Sequence, residues 1–69
     1  MIAISHQIYP TNGGLAYQID YSDGLKLRAV EGNGTIRQEY EHDGAWLQVG
    51  ESDAEMMKAS VINALEQPA

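Results

Sequence analysis

The sequence predicts an α+β fold, in which a five-stranded antiparallel β-meander packs one face against a C-terminal α-helix. Turn-forming residues recur at roughly ten-residue intervals, and apolar residues alternate with polar ones between the turns. Near the C-terminus the apolar period changes to that of a helix. A length of 69 residues suits one small α+β domain covering 1–69.

The turn signals divide most of the chain into short segments. Each combines glycine with asparagine or aspartate, which accept positive φ angles at low cost and favour hairpins. The signals are Thr11-Asn12-Gly13-Gly14, Ser22-Asp23-Gly24, Gly32-Asn33-Gly34 and His42-Asp43-Gly44. We therefore expect strands at residues 2–9, 15–21, 25–31, 35–41 and 45–49.

Side-chain alternation predicts how the strands pair, because a slip of one residue moves every side chain to the other face. A three-residue second loop and a two-residue third turn collect the apolar residues on one face and a ladder of charges on the other. The apolar pairs are Tyr21 with Leu25, Ile19 with Leu27, Tyr17 with Ala29, and Leu27 with Tyr40. The charged pairs are Arg28 with Glu39 and Lys26 with Glu41.

The two outer hairpins extend this pattern. A four-residue loop at 11–14 gives the neighbours Ile8 with Tyr17, Ile4 with Tyr21, and His6 with Ile19. In the last hairpin, a two-residue Asp43-Gly44 turn sends Leu47 and Val49 into the core and Trp46 to the charged face, whereas a three-residue loop inverts them. We favour the first, because it keeps both aliphatic side chains dry and leaves Trp46 near a basic side chain.

The last segment has the features of an amphipathic helix at about 53–66. Ser52 and Glu55 have the spacing of a capping box, in which both side chains satisfy free amides at a helix start. The apolar stripe expected to face the sheet contains Ala54, Met57, Val61, Ala64 and Leu65. Met56 and Ile62 flank the stripe and are expected to remain partly exposed.

Composition and charge favour some classes of function over others. Ten acidic and four basic residues give a net charge of −6, which disfavours direct nucleic-acid binding and suits a basic protein partner. The chain has no cysteine, and no apolar run or leader typical of export or membrane insertion. A cytoplasmic location without membrane association is expected.

Catalytic and metal chemistry find little support in the sequence. The only histidines, His6 and His42, fall in different elements and lack the spacing of a metal site. A general base also requires a substrate pocket within reach, and no motif indicates one. We expect a non-enzymatic protein without a metal or cofactor.

Two features favour protein binding. Residues 2–9 form an uncharged strand at the edge of the meander, so they either close against another strand of this chain or pair with a second molecule. The sheet face away from the helix forms a second candidate surface, with aromatic and arginine side chains typical of interfaces. The candidate interaction residues are Tyr9, Arg28, Arg37, Glu39, Glu41, Asp43 and Trp46.

The leading hypothesis is a protein-binding module that forms a homo-oligomer, such as a homodimer, through its first strand or its open sheet face. The alternative is a small acidic inhibitor or nucleic-acid mimic, of the phage or mobile-element type, that blocks a basic site on a host nucleic-acid-binding protein. In that alternative, binding depends on acids such as Glu39, Glu41, Asp43 and Glu51 and weakens with salt.

Overall fold

The computed structural model describes residues 1–49 and 53–67. It confirms the α+β fold, with five antiparallel strands in one open sheet of order β1-β2-β3-β4-β5 and one helix packed on it. The elements are β1 (Ala3–Thr11), β2 (Gly14–Tyr21), β3 (Lys26–Gly32), β4 (Thr35–His42), β5 (Ala45–Gln48) and α1 (Ala54–Glu66).

The predicted register of the central strands is confirmed. Ile19 lies opposite Leu27, and Leu27 lies opposite Tyr40. On the other face, Arg28 lies opposite Glu39. The turn between β3 and β4 depends on positive φ angles at Asn33 and Gly34, as hairpin chemistry predicts.

The last hairpin has the favoured register, but the predicted burial of Leu47 was wrong. Asp43 and Gly44 both have positive φ angles, and Leu47 pairs with Tyr40 on the helix side of the sheet. However, α1 packs over β1 to β4, so Leu47 on β5 remains 41% exposed. Val49, just beyond the strand, is half-buried.

The first hairpin differs from the prediction at both ends of β1. Asn12 and Gly13 alone form the turn, and neither adopts a left-handed conformation. The predicted pairs of Ile8 with Tyr17 and His6 with Ile19 are confirmed, because the two-residue turn keeps the same register as the predicted four-residue loop. At the other end, a β-bulge between Ala3 and Ser5 sets Ala3 opposite Tyr21, so placing Ile4 there was wrong.

The helix supplies one side of the core. Asp53 is its N-cap residue and makes no side-chain capping bond, whereas Ser52 of the predicted capping box lies outside the described residues. The buried core cluster consists of Tyr17, Ile19, Ala29, Ala54, Met57 and Val61. Leu65, expected in this stripe, is half-exposed in the last turn.

Candidate interaction surfaces

The sheet face away from α1, which we call the open face, carries a hydrogen-bonded network centred on Arg28. This side chain donates through Nε to Glu39 Oε1 at 2.9 Å and through Nη1 to the Tyr9 hydroxyl at 3.1 Å. Arg37 donates through Nε to Glu39 Oε2 at 2.9 Å. One carboxylate therefore holds two guanidinium groups, and side chains from β1, β3 and β4 are joined.

The network continues from Tyr9 into β2. The Tyr9 hydroxyl donates to Gln18 Oε1 at 2.5 Å, and Gln18 Nε2 donates to Asp20 Oδ1 at 2.7 Å. Gln18 is only 6% exposed, so its neighbours within the sheet exclude water from it. Among the described residues, every buried side-chain nitrogen or oxygen has a hydrogen-bond partner.

Trp46 adds β5 to the open-face network. The Arg28 guanidinium carbon lies 4.1 Å from the centroid of the Trp46 ring, within the range of a cation–π interaction. The register that sets Trp46 opposite Glu41 produces this contact. The favoured position of Trp46 near a basic side chain is thus confirmed, and the indole covers Arg28.

Glu39 is the charged centre of the network. Burial raises its pKa, but hydrogen bonds and charges from Arg37 and Arg28 outweigh burial, so the pKa of Glu39 lies below its ordinary value. The residue is 8% exposed, and its negative charge is matched by two cations. Glu39 therefore adds little to the field that a basic partner would meet.

The structure brings together five of the seven candidate interaction residues. These are Tyr9, Arg28, Arg37, Glu39 and Trp46. Glu41 lies opposite Trp46 and Asp43 lies in the following turn, and in the described part of the chain neither is hydrogen-bonded to this network. Glu41 Oε1 accepts a hydrogen bond from the Gly44 amide at 2.9 Å, and Asp43 lies 3.3 Å from His42 Nε2 in an exposed position. Glu51 lies outside the described residues.

A second polar group, on the helix side, was not predicted. The Tyr17 hydroxyl donates to Glu31 Oε1 at 2.9 Å, and Lys58 Nζ donates to Glu31 Oε2. Hydrogen bonds from Lys58 and Tyr17 lower the pKa of Glu31. The sequence offered a signal for this contact, because a buried tyrosine hydroxyl usually has a hydrogen-bond partner. Glu31 lies two residues after the core-facing Ala29, and therefore on the same face of β3. This group fastens α1 to β3.

The two edge strands of the sheet differ in length. β5 has four residues, and a short edge offers little backbone to another chain. β1 has nine residues, none of them Asp, Glu, Lys or Arg. The bulge between Ala3 and Ser5 and Pro10 interrupt its two ends. Between them, residues 5–9 form a regular uncharged edge.

Backbone groups of this edge point away from the sheet. Thr11 and Gly14 close a two-residue turn, and such a turn closes with a pair that exchanges both hydrogen bonds. The direction of the backbone N–H and C=O groups alternates from one residue to the next along a strand. Thr11 directs these groups towards β2, so His6 and Ile8 direct theirs away from it. Pro10 has the same direction, and its missing N–H therefore costs no bond within the sheet.

Neither histidine belongs to a group that could hold a metal ion in the described residues. His6 on β1 lies opposite Ile19 on β2, and His42 is exposed at the end of β4. No group of three His, Asp or Glu side chains there has the arrangement of a metal site. A polar cleft of about 440 Å³, lined in part by Arg28 and Arg37, lies between the first and third turns.

Comparison of the chain with protein-family models, curated proteins and solved structures gave no match. Among residues 1–49 and 53–67, no helix has both the length and the apolar character of a membrane span.

Proposed function

We propose that this chain is a cytoplasmic, non-catalytic protein-binding module that associates with a second copy of itself through β1. The observation that carries the proposal is the uncharged backbone edge of residues 5–9 in a nine-residue edge strand. Free N–H and C=O groups on such a strand pair readily with another chain. Ile8, which is 39% exposed, adds apolar surface beside this edge.

The state of the open face favours β1 as the binding surface. Arg28, Tyr9 and Trp46 would be typical interface anchors, but each is engaged within the sheet. A partner docking there would have to replace bonds that the face already makes. At β1, the partner would satisfy groups that have no bond within the sheet.

The charge distribution favours antiparallel pairing of two copies. The turns that contain Asp23 and Asp43 lie at the end of the sheet where β1 begins, and Ser22 N–H donates to Ile2 O at 2.8 Å at this end. When two copies pair their β1 strands in antiparallel orientation, the ends that carry Asp23 and Asp43 lie at opposite ends of the dimer. Like charges are then far apart, which reduces the repulsion between two chains of charge −6 each.

Ile8→Lys tests the proposal against a matched control, Leu47→Lys. The two residues are 39% and 41% exposed, and both lie on the helix side of edge strands. A lysine on an edge strand opposes pairing, so light scattering over a concentration series should give a dimer for wild type and for Leu47→Lys. Ile8→Lys should weaken the dimer roughly 100-fold, through lost apolar burial and through the cost of removing the lysine ammonium from water at the paired edge.

Circular dichroism of both variants verifies that they fold. A wild-type chain that stays monomeric at the highest concentration, or equal weakening by both lysines, would overturn the proposal. Added salt should strengthen the dimer, because it screens repulsion between acidic chains. Binding to a basic partner, as in the acidic-inhibitor alternative, should instead weaken with salt.

A further inference from the structure

The outward groups of β1 restrict how two copies can pair. In an antiparallel pair with a two-fold axis normal to the sheet, the axis passes beside one residue and its copy. Outward-directed residues must then face outward-directed residues, because only these have free N–H and C=O groups. Axes beside any of residues 5–9 satisfy this condition, but only those beside His6, Gln7 and Ile8 pair at least three residues of the regular edge with residues of the same edge in the other copy.

Two of the three axes place an interruption of the edge inside the paired segment. An axis beside Ile8 sets His6 opposite Pro10 of the other copy, and proline has no N–H to donate. An axis beside His6 sets Ile8 opposite Ile4, which lies in the bulge between Ala3 and Ser5. A bulge disrupts the local ladder, so the outer bonds of that arrangement are weakened.

The axis beside Gln7 avoids both interruptions. It sets His6 opposite Ile8 of the other copy, and the same pair recurs on the other side of the axis. Each of these pairs exchanges two bonds, and every donor and acceptor belongs to the regular edge. The bulge of one copy then lies opposite Pro10 of the other copy, so both interruptions lie outside the segment that is paired by backbone hydrogen bonds.

We propose that β1 pairs with β1 of a second copy in antiparallel orientation, with the two-fold axis beside Gln7, to form one continuous sheet. Both helices then lie on the same face of that sheet. Gln7 faces its own copy in a pair without backbone hydrogen bonds, where Cα atoms approach to about 4.5 Å. This register rests on the proposed self-association through β1.

A cysteine scan tests this register, since the chain contains no cysteine that could give a background. Single variants Ser5→Cys, His6→Cys, Gln7→Cys and Ile8→Cys are oxidised mildly at a concentration that gives the dimer. The Gln7 pair has Cα spacing suitable for a disulfide, so Gln7→Cys should cross-link at least roughly tenfold faster than the other three. Gln48→Cys, exposed on the short edge strand β5, measures the rate of random collision.

Light scattering of each reduced variant separates the two proposals. A dimer whose cross-linking is fastest at Ser5, His6 or Ile8 would overturn the Gln7 axis and leave association through β1 intact. A dimer in which no β1 cysteine exceeds the Gln48→Cys rate would overturn pairing through β1. A monomeric wild type would overturn both. Circular dichroism of the reduced variants confirms that each retains its fold.

Discussion

The two faces of the sheet exclude water by different means. On the helix side, α1 covers apolar residues such as Tyr17 and Ala29, with Met57 and Val61 packed against them. On the open face, long polar side chains lie across the strands and bond to one another. As a result, Gln18 and Glu39 are buried without a second layer of secondary structure.

This difference is the basis for proposing association through the edge of the sheet. A covered apolar face and a polar face with mutual hydrogen bonds both have few unsatisfied groups. The edge backbone of β1 differs from both, because His6 and Ile8 direct hydrogen-bonding groups away from the sheet. The surface that we propose for binding is therefore the edge rather than either face.

The largest expected loss comes from removing the helix-side packing. Met57→Ala leaves a cavity between α1 and the sheet and should lower the free energy of unfolding by about 2–5 kcal/mol. Met56→Ala is the control, because Met56 is 68% exposed and its change should stay within about 0.5 kcal/mol. Urea unfolding measures both, and equal losses would contradict packing of α1 through Met57.

Removing the negative charge at the centre of the open-face network should lower the free energy of unfolding. Glu39→Gln keeps the shape of the side chain but removes the charge held by Arg28 and Arg37. We expect a loss of about 1.5–3 kcal/mol in the free energy of unfolding, the range for hydrogen bonds to charged groups. Asp43→Asn, at an exposed turn, should change stability by less than about 0.5 kcal/mol. Similar effects of the two would show that the network contributes nothing.

A smaller pH effect should distinguish the two faces. The pKa of Glu39 in the folded chain lies below the ordinary glutamate value of 4.5, so its contribution is fully present above that pH. The contribution is lost as pH falls through the lower folded pKa. The stability difference between wild type and Glu39→Gln, measured by urea unfolding, should therefore shrink on acidification from pH 7, whereas that caused by Met57→Ala should not. A difference for Glu39→Gln that is constant with pH would contradict this assignment.

The register of the sheet could be predicted because alternation and turn chemistry agree. Apolar residues at every second position, combined with Asn33-Gly34 and Asp43-Gly44 turns, leave one register that keeps Leu27 and Tyr40 on the same face. The contact of Arg28 with Trp46 followed from that register. The bulge near Ile4 was not predictable, because it inserts a residue without a local signal in the sequence.

Burial was harder to predict than pairing, because it depends on where α1 lies. Leu47 has the correct face and register, yet the helix packs over β1 to β4. Burial on the open face likewise depends on which polar side chains form hydrogen bonds with one another. Gln18 and Asp20 join the network through bonds that alternation alone does not specify.

Amide hydrogen exchange at β1 tests the central claim most directly. The His6 and Ile8 amides point away from the sheet, whereas the Gln7 amide is directed at β2. At high concentration His6 and Ile8 should exchange slowly, and dilution should restore fast exchange while Gln7 stays protected. The outward amide of Trp46 on β5 should exchange fast throughout. Fast exchange of His6 and Ile8 at every concentration would contradict association through β1.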